Sequence, residues 1–592
     1  MANLILPLTP SPSREELLME SFAHWIGISV KHAPFLGIED TGLGEFVRDV
    51  SANTHFAIDV DRLNTRANVL DLKSRIIQYG ANLLVLNCQG DAQQARALYK
   101  LTNGCIANIA PPEPINGEII LEPAISSASP LLAGLSFKQT RISPLASFVL
   151  AKDNCEAEVL VSVESRPLLI RIPWGSGSLF CSTVQLPDLS EHLSLENPLK
   201  NHILSLIPPL LFMRSSFADQ CWHPDANTAQ LLLDDPPLVH NYGYLDFNQL
   251  VDSMQRAHYA TTLAFIPWNY WRTTKSAVRR WLSPSSGLSI CVHGCDHTRR
   301  EFADRGSDRL YAKAQRALNR MQKQRTRTGA GFDPVMVFPQ GYFSSVALVA
   351  LRQAGYLAAV NTSILATDRE DILTLGDALM PARMHPCGFP LFQRHAPQQI
   401  FDFFFALFLG KPALAVRHPI DFRNGYADLE SFFMQMQKRV PSLTWQPLSE
   451  QFTWCSLHRT LDDGTHAIRF FTRKYQFARD NSSSSLVQLC KYEPNPSVVD
   501  RVLLDGKPIE YDYVMDDLSV ITKIDDSCVH TIEIIDKLYP HALPLRDDAL
   551  YASQVLIRRI LSEVRDRKLC KYKRLLDATQ RAVRKARLSA NL

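Results

Sequence analysis

The chain is 592 residues long, 46% hydrophobic and 21% charged, with a formal net charge of +3. That length exceeds what one hydrophobic core supports and implies roughly three to five domains of ordinary globular composition. The longest apolar runs, such as IFDFFFALFL at 400–409, are too short to cross a bilayer. The N-terminus, MANLILPLTPSPSREELLME, has no basic residue ahead of its apolar stretch, which argues against a secretory signal. The 12 cysteines form no CxxC pair and fit a reducing compartment better than a disulfide framework. A cytoplasmic protein is therefore expected.

Residues 1–65 carry helix-like apolar spacing in SREELLMESFAHWIGISV and are expected to be a helical or irregular segment. Between 66 and 222, NLLVLNC, GCIANIA, FVLAK, LVSVES, LLIRIPW and GSLFCSTV read as short buried strands, with DAQQARALYKL helical between the first two. This pattern predicts an α/β layer domain. The run PLLAGLS, followed by LLIRIPWGSGSLFCSTV, resembles accessory domains with a glutamine-amidotransferase-like fold. No Gly-x-Cys-x-Gly elbow stands at a strand-to-helix turn, so no nucleophile is expected there.

From 223 to 452 a series of apolar strands each closes on a polar or aromatic residue: LLLDD, TTLAFIPWN, LSICVHGCDH, VMVFPQGYF, LAAVNT, ALMPARMH and PALAVRH, with SLTWQPL as an eighth candidate. Helix-period segments such as FNQLVDSMQRAH, DRLYAKAQRALNRMQ and SSVALVALRQAG lie between several of them. Alternation of this kind predicts a distorted (β/α) barrel with its site at the carboxyl ends of the strands. Asp234, Asp235, Asn269, His293, His297, Arg383 and His418 would collect there. From 453 to 542, HAIRFFTRK, VDRVLLDGKPIEYDYV, SVITKI and CVHTIEII read as a small β-sandwich, with DGKP as a turn.

Residues 543–592 read as a basic amphipathic helical tail. From Tyr551 to Leu592 there are 12 Lys and Arg against 3 Asp and Glu, a net of +9 that leaves −6 for the rest of the chain. Leu556, Ile560, Val564, Leu569, Tyr572, Leu576 and Val583 tend to one side. Such a helix can lie on an anionic membrane surface, bind an acidic protein, or pack on the acidic body of its own chain. Nucleic acid is the weakest partner, because the segment from Leu556 onward has one aromatic residue and no recognisable binding motif.

Successive strand residues point to opposite faces, so Asp234 and Asp235 take different parts unless the backbone turns at them. Pro236 and Pro237 are expected to hold Asp235 extended and so fix the aim of both carboxylates, although they could also simply end the strand. In HGCDH the four-residue offset lets His293 and His297 face one point if the strand passes into a helical turn. Asp235 can supply a third ligand and leave positions open. A divalent cation there would polarise a carbonyl and acidify bound water. Each residue also has a plain structural reading, the paired aspartates as a turn or cap and His418 as a satisfied histidine. Their occurrence in order at successive strand ends favours the site.

These residues resemble the motifs of the polysaccharide deacetylases of carbohydrate esterase family 4, the NodB-homology group, over about 228–450. The family's Thr-Phe-Asp-Asp-Gly is similar to Leu232-Leu233-Asp234-Asp235-Pro236, which implies Asp234 as general base and Asp235 as metal ligand. Its His-Ser/Thr-x-x-His resembles His293 to His297 and implies the other two ligands. Its Arg-Pro-Pro-Tyr-Gly is half present in Val337-Phe338-Pro339-Gln340-Gly341, and its Leu-x-His resembles Val416-Arg417-His418, which implies His418 as general acid. The position of the family's third-motif arginine is Val337 here. Arg383, at the end of a later strand, could reach the same carboxylate or be structural.

The resemblance implies a divalent metal, with Zn2+ favoured over Co2+, Mn2+, Ni2+ or Fe2+. Trp268 with Asn269, and Tyr342 with Pro339 and Gly341, are candidate substrate contacts. Tyr242, Tyr244, Tyr270, Trp271 and Phe343 are further aromatics near strand ends, which either form a saccharide platform or are half-buried loop residues. The expected function is metal-dependent removal of N-acetyl (or O-acetyl) groups from a sugar, polysaccharide or glycan precursor, in exopolysaccharide or cell-envelope carbohydrate metabolism. One alternative is an inactive barrel serving as a carbohydrate-binding or scaffold component, and another is metal chemistry on a non-sugar amide.

Overall fold

The computed structural model describes residues 3–564, apart from 9–10, 35–53, 64–72, 74–75, 115–116, 140–141, 153–154, 283–285, 369–371, 479–484, 525–527 and 540–548. The expected tail positions Leu569, Tyr572, Leu576 and Val583 lie outside the described residues.

Residues 1–65 are not a separate helical unit. NLILPL and THFAID form strands Asn3–Leu8 and Thr54–Asp59, which pair in parallel and enter a nine-stranded sheet with the strands that follow. Short, wholly buried strands give no two-residue alternation, and that is why the pattern was hard to read. The helix between them, Arg14–Ile26, starts at a Ser13/Glu16 capping box and stops at Gly27 with φ 91°, as its Ser-x-x-Glu and terminal glycine dictate. The sheet runs parallel through Asn82–Leu86 to Gly177–Ser182 and then continues antiparallel through Arg166–Trp174 and Glu158–Val163. Cys105 and Cys155 are joined by a disulfide, so the cysteine pattern does not carry the inference of a reducing compartment.

Seven strands close the barrel. β1 (Thr228–Asp234) pairs in parallel with β2 (Thr261–Phe265) on one side and β7 (Ala413–Arg417) on the other. β3 (Leu288–His293), β4 (Asp333–Val337), β5 (Ala358–Asn361) and β6 (Leu391–His395) complete the ring. SLTWQPL contributes only Thr444–Trp445, paired outside the ring with the start of β1.

ALMPARMH is not the sixth strand. Leu375–Leu379 is helical, and Arg383 makes one isolated antiparallel bridge, to Leu391. Pro381 and Pro386 lack the N–H that an interior strand must donate, so the ladder passes to LFQRH instead.

Inside the barrel, Leu232, Ala264, Cys291, Val337, Val360 and Phe392 form a packed core. Phe452, from the helix Leu448–Trp454, stacks on Phe392 with ring centroids 3.8 Å apart. An interior filled with apolar side chains leaves the polar residues to the carboxyl ends of the strands.

The helix Ile400–Phe408 is apolar except for Asp402, which suits a position buried on several sides. It lies between the N-terminal layer and the barrel, with Phe401 stacked on Phe137 at 4.4 Å. After 453 a four-stranded sheet and five strands of a six-stranded one, whose remaining strand is His223–Pro224, enclose their own core. They are antiparallel except where His466–Phe470 meets Leu486–Tyr492 in parallel. A buried ion network ties this sandwich to the barrel. Arg352 donates to Glu493 at 2.6 Å and to both oxygens of Asp536 at 2.8 and 2.9 Å, Arg473 reaches Asp536 at 2.7 Å, and Lys491 reaches Glu493 at 3.3 Å.

Candidate metal centre at the barrel mouth

β1 ends at Asp234, and the ladder runs one residue further, with the Asp235 N–H donating to the Ala264 carbonyl at 3.3 Å. Asp235 is not extended. Its φ is 78°, in a region that L-residues with a side chain rarely adopt. A regular strand would send the two carboxylates to opposite faces; this turn brings both to the mouth. The aim is therefore set by the backbone turn at Asp235, and Pro236 and Pro237 follow it.

β3 ends at His293 and is followed by a loop, not the helical turn expected from the spacing. Glu301 shapes that loop by accepting the backbone N–H groups of Cys295, Asp296 and His297 at 3.1, 2.8 and 3.1 Å. Gly294 has φ 64°, and a Cβ there would lie 2.4 Å from Pro339 Cγ and 2.6 Å from Glu301 Oε2, so the loop closes only over glycine. His297 is itself held at φ 56°. Cys295, Asp296 and Glu301 also cluster. Glu301 is engaged by three amides and Asp296 by Arg320 at 2.6 Å, so this cluster braces the loop.

The result is a three-ligand constellation. Asp235 Oδ1 lies 3.4 Å from His293 Nε2 and 3.0 Å from His297 Nε2, and the three groups can place one atom each within 4.8 Å of one another. Ligand atoms about 2.1 Å from a shared tetrahedral ion are themselves roughly 3.4 Å apart, so the spacing fits a divalent metal. His293 Nδ1 sits 3.0 Å from the Val337 carbonyl. A carbonyl only accepts, so Nδ1 carries a proton and Nε2 is the nitrogen left to bind a metal. Asp235 Oδ1 and His297 Nδ1 are buried without a hydrogen bond, and for Oδ1 a cation would supply the missing partner. Burial pushes the Asp235 carboxyl up, but His297 and His293 outweigh it and hold it well below the usual range.

Beside this set, Asp234 is almost wholly buried and gripped by Arg394, with Nη1 to Oδ1 at 2.6 Å and Nη2 to Oδ2 at 2.7 Å. Burial raises its carboxyl, but Arg394, with His293 and His418, outweighs burial and leaves it ionised below the ordinary range. His293 moves the other way: burial lowers it, while Asp234 and Asp235 carry it above its usual value. His418 follows β7, is half exposed, and places Nε2 3.6 Å from Asp234 Oδ2.

Arg383 does not reach this carboxylate. Its guanidinium donates to the Ile364 carbonyl and, at 3.0 Å, to the His385 carbonyl, with its charge beside the Phe343 ring. Arg394 on β6 holds the position foreseen for it. The sequence signal was present, because LFQRH is an apolar run that ends on polar residues like the other barrel strands.

Of the substrate candidates, Trp268, Gly341 and Tyr342 are half-buried at the rim. The Trp268 ring meets Trp271 edge-on at 6.0 Å, and the Arg300 guanidinium lies 5.1 Å from the Tyr342 centroid. Asn269 and Pro339 lie below the rim. Asn269 is buried and accepts from Arg272 at 3.3 Å, and Pro339 is buried against Gly294. Phe343 belongs to the core, stacked on Phe338 at 4.8 Å, and Tyr242 is also buried.

The tail enters the site as well. Helix Ala549–Glu563 lies against the His293–His297 loop: the Tyr551 hydroxyl donates to Asp296 Oδ2 at 3.1 Å, Arg559 Nη2 approaches the His297 carbonyl at 3.5 Å, and Glu563 pairs with Arg272. Val555 and Arg559 are buried, whereas Leu556, Ile560 and Val564, from the apolar side of the helix, are exposed. Positions 551, 555, 559 and 563 recur every four residues, so the polar stripe of the helix faces the barrel.

No family model matches the chain, and no curated protein does. Among solved structures it is similar to that of Agd3, described as a novel carbohydrate deacetylase, at 9% identity and a TM-score of 0.46 over 90% of this chain and 99% of that one. It is also similar to a family 4 carbohydrate esterase from Streptomyces lividans in complex with acetate, at 12% identity and a TM-score of 0.24 over 38% of this chain and 95% of that one. A third is a CE4 family pseudoenzyme from Bacillus anthracis, at 10% identity and a TM-score of 0.24 over 38% of this chain and 66% of that one. Identities this low leave the chemistry to the side chains.

Proposed function

We propose that the chain is a metal-dependent hydrolase that removes an N-acetyl (or O-acetyl) group from a sugar, polysaccharide or glycan precursor in exopolysaccharide or cell-envelope metabolism. The observation that carries this reading is the buried Asp234, held ionised by Arg394 directly beside the Asp235, His293 and His297 cluster. Asp235, His293 and His297 would hold the divalent cation, with Zn2+ favoured by the two imidazoles and one carboxylate. When bound, the cation supplies Lewis-acid polarisation of the acyl oxygen and acidifies water at the site.

The remaining work falls to the protein. Asp234 is kept ionised, and so free to accept a proton, and is fixed in place by two guanidinium hydrogen bonds. His418, across from Asp234 and open to the mouth, is placed to protonate the departing amine nitrogen. Arg394 acts through Asp234 as a positioning residue. Trp268 and Tyr342 offer ring faces at the rim on which a sugar can stack. Without an arginine at Val337 the barrel could be an inactive binding module, and the grip of Arg394 on Asp234 speaks for the hydrolase instead. In the N-terminal domain Cys88 follows a parallel strand but is buried, and burial pushes its thiol well up, which fits an accessory role without a nucleophile.

The test is metal analysis combined with acetate release from acetylated amino-sugar oligomers. Asp235→Ala should lose both metal and turnover, whereas Asp234→Asn should keep its metal and lose about 10²- to 10⁴-fold in kcat. Metal binding without turnover on any acetylated saccharide would leave the binding-module reading in its place.

A partner follows from the outer face of the C-terminal helix. Leu550, Leu556, Ile557, Ile560 and Leu561 are exposed there, and residues 565–592 add 10 Lys and Arg against 2 Asp and Glu. An exposed apolar face continued by cationic sequence suits an anionic membrane surface, which would hold the protein peripherally at the cytoplasmic leaflet. Sedimentation with phosphatidylglycerol vesicles, but not with phosphatidylcholine vesicles, is the expected outcome, and 0.5 M salt, roughly a Debye length of 4 Å, should reverse it.

A further inference from the structure

The guanidinium of Arg559 is more than nine-tenths buried at the edge of the metal cluster, and none of the described residues forms an ion pair with it. Its Nε has no hydrogen-bond partner, and Nη2 has only the long contact to the His297 carbonyl at 3.5 Å. The carboxylates around it are committed elsewhere. Asp296 is held by Arg320 and Tyr551, Glu301 by three backbone amides, and Asp235 faces the two histidines. A buried cation without an anion is costly, the more so beside a site built for a divalent metal, and an anionic ligand group would relieve it. The near rim adds to the positive field through Arg300, whose guanidinium lies over Tyr342.

The geometry points to Arg559 as a substrate-binding residue that takes an anionic oxygen group, a carboxylate or a phosphate, carried by the acetylated saccharide near the acetyl group to be removed. This inference rests on the hydrolase reading and narrows its substrate to acidic acetylated sugars. Guanidinium suits it because its fork meets two oxygens of either group at once. The C-terminal helix then has a function in the site: it carries the specificity residue across to the mouth and is anchored there by Tyr551 and Glu563.

The experiment compares the full-length wild-type protein with Arg559→Gln, Arg559→Lys and Tyr551→Phe. Acetate release is measured with N-acetylglucosamine 1-phosphate, with an N-acetylated aminouronic acid and with neutral N-acetylglucosamine oligomers. Wild type should prefer one acidic substrate over the neutral ones by at least about tenfold in kcat/KM, and whichever acidic compound is preferred identifies the anion. Arg559→Gln should raise KM for that substrate about tenfold or more with kcat little changed, and leave the neutral oligomers unaffected; Arg559→Lys should recover part of the loss. Tyr551→Phe, which loosens the helix without removing the charge, should affect acidic and neutral substrates alike.

Equal losses on acidic and neutral substrates in Arg559→Gln, or no acidic preference in wild type, would overturn the proposal. If no substrate releases acetate, the hydrolase reading fails on its own. Calorimetric binding of N-acetylglucosamine 1-phosphate and the aminouronic acid to wild type and Arg559→Gln then decides the anion site: binding of either that Arg559→Gln weakens supports it, and binding that is absent or unchanged overturns it.

Discussion

Two charged regions of this molecule are built on opposite terms. Where the barrel meets the sandwich, Arg352, Glu493, Asp536, Arg473 and Lys491 are paired to one another at hydrogen-bond distance. At the mouth, Asp235 Oδ1, His297 Nδ1 and Arg559 Nε are buried without hydrogen bonds, and Asp235, His297, Arg300 and Gln340 are held at positive φ. A satisfied network holds two domains in register. Unsatisfied atoms on a strained backbone are kept where a ligand will complete them. The difference separates the part that holds the protein together from the part that acts.

The largest effects test that separation directly. Glu493→Ala leaves Lys491 in the interior without its carboxylate and takes one of two carboxylates from Arg352, and should cost about 3–5 kcal/mol in denaturant unfolding, while the protein that remains folded should still take up metal. Asp235→Ala should do the reverse: compared metal-free with metal-free wild type, it should lose far less stability than Glu493→Ala, while metal uptake is abolished. A loss of stability as large as that of Glu493→Ala would erase the contrast.

Next comes the choice between two arginines. Arg394→Gln should lower kcat by about 10²- to 10³-fold. It should also move the acidic limb of the pH–rate profile to higher pH, because the guanidinium that holds Asp234 down is removed. Arg383→Gln should leave that limb in place, and a shift there would reassign the role.

The smallest effect concerns the sandwich alone. Burial, helped by His466, pushes His458 down from 6.5 to about 3. The unfolded chain therefore binds a proton that the fold refuses. This stability is fully present above pH 6.5 and is lost as pH falls toward about 3. Between pH 7 and pH 5, His458→Gln should lose about 2 kcal/mol less unfolding free energy than wild type, which denaturant titrations at both values would show.

Much of the barrel was legible because each strand is a short apolar run that stops on a polar residue, as in LLLDD, LSICVH and PALAVRH. ALMPARMH reads as the sixth strand because it has the same apolar look, but Pro381 within it and Pro386 just after it withhold N–H groups that an interior strand must donate. That one displacement carried the arginine assignment to Arg383 instead of Arg394. Asn269 and Pro339 were read as substrate contacts because they adjoin rim residues in sequence, but a turn buries one residue while exposing its neighbour. Helical periodicity put the tail's apolar residues on one side without saying what that side meets, and the contacts of Tyr551, Arg559 and Glu563 with the mouth turn it outward.

By itself the sequence determined the residue types of the site and their order, since a carboxylate pair, a His-x-x-x-His and a later histidine are local facts of the chain. Tertiary structure alone decided the turn at Asp235, the arginine that holds Asp234, and the arrival of Arg559 from more than 250 residues beyond His297. The physical reason is that side-chain chemistry is written residue by residue, whereas the conformation of one peptide unit and the meeting of distant charges depend on which strands and helices pack together.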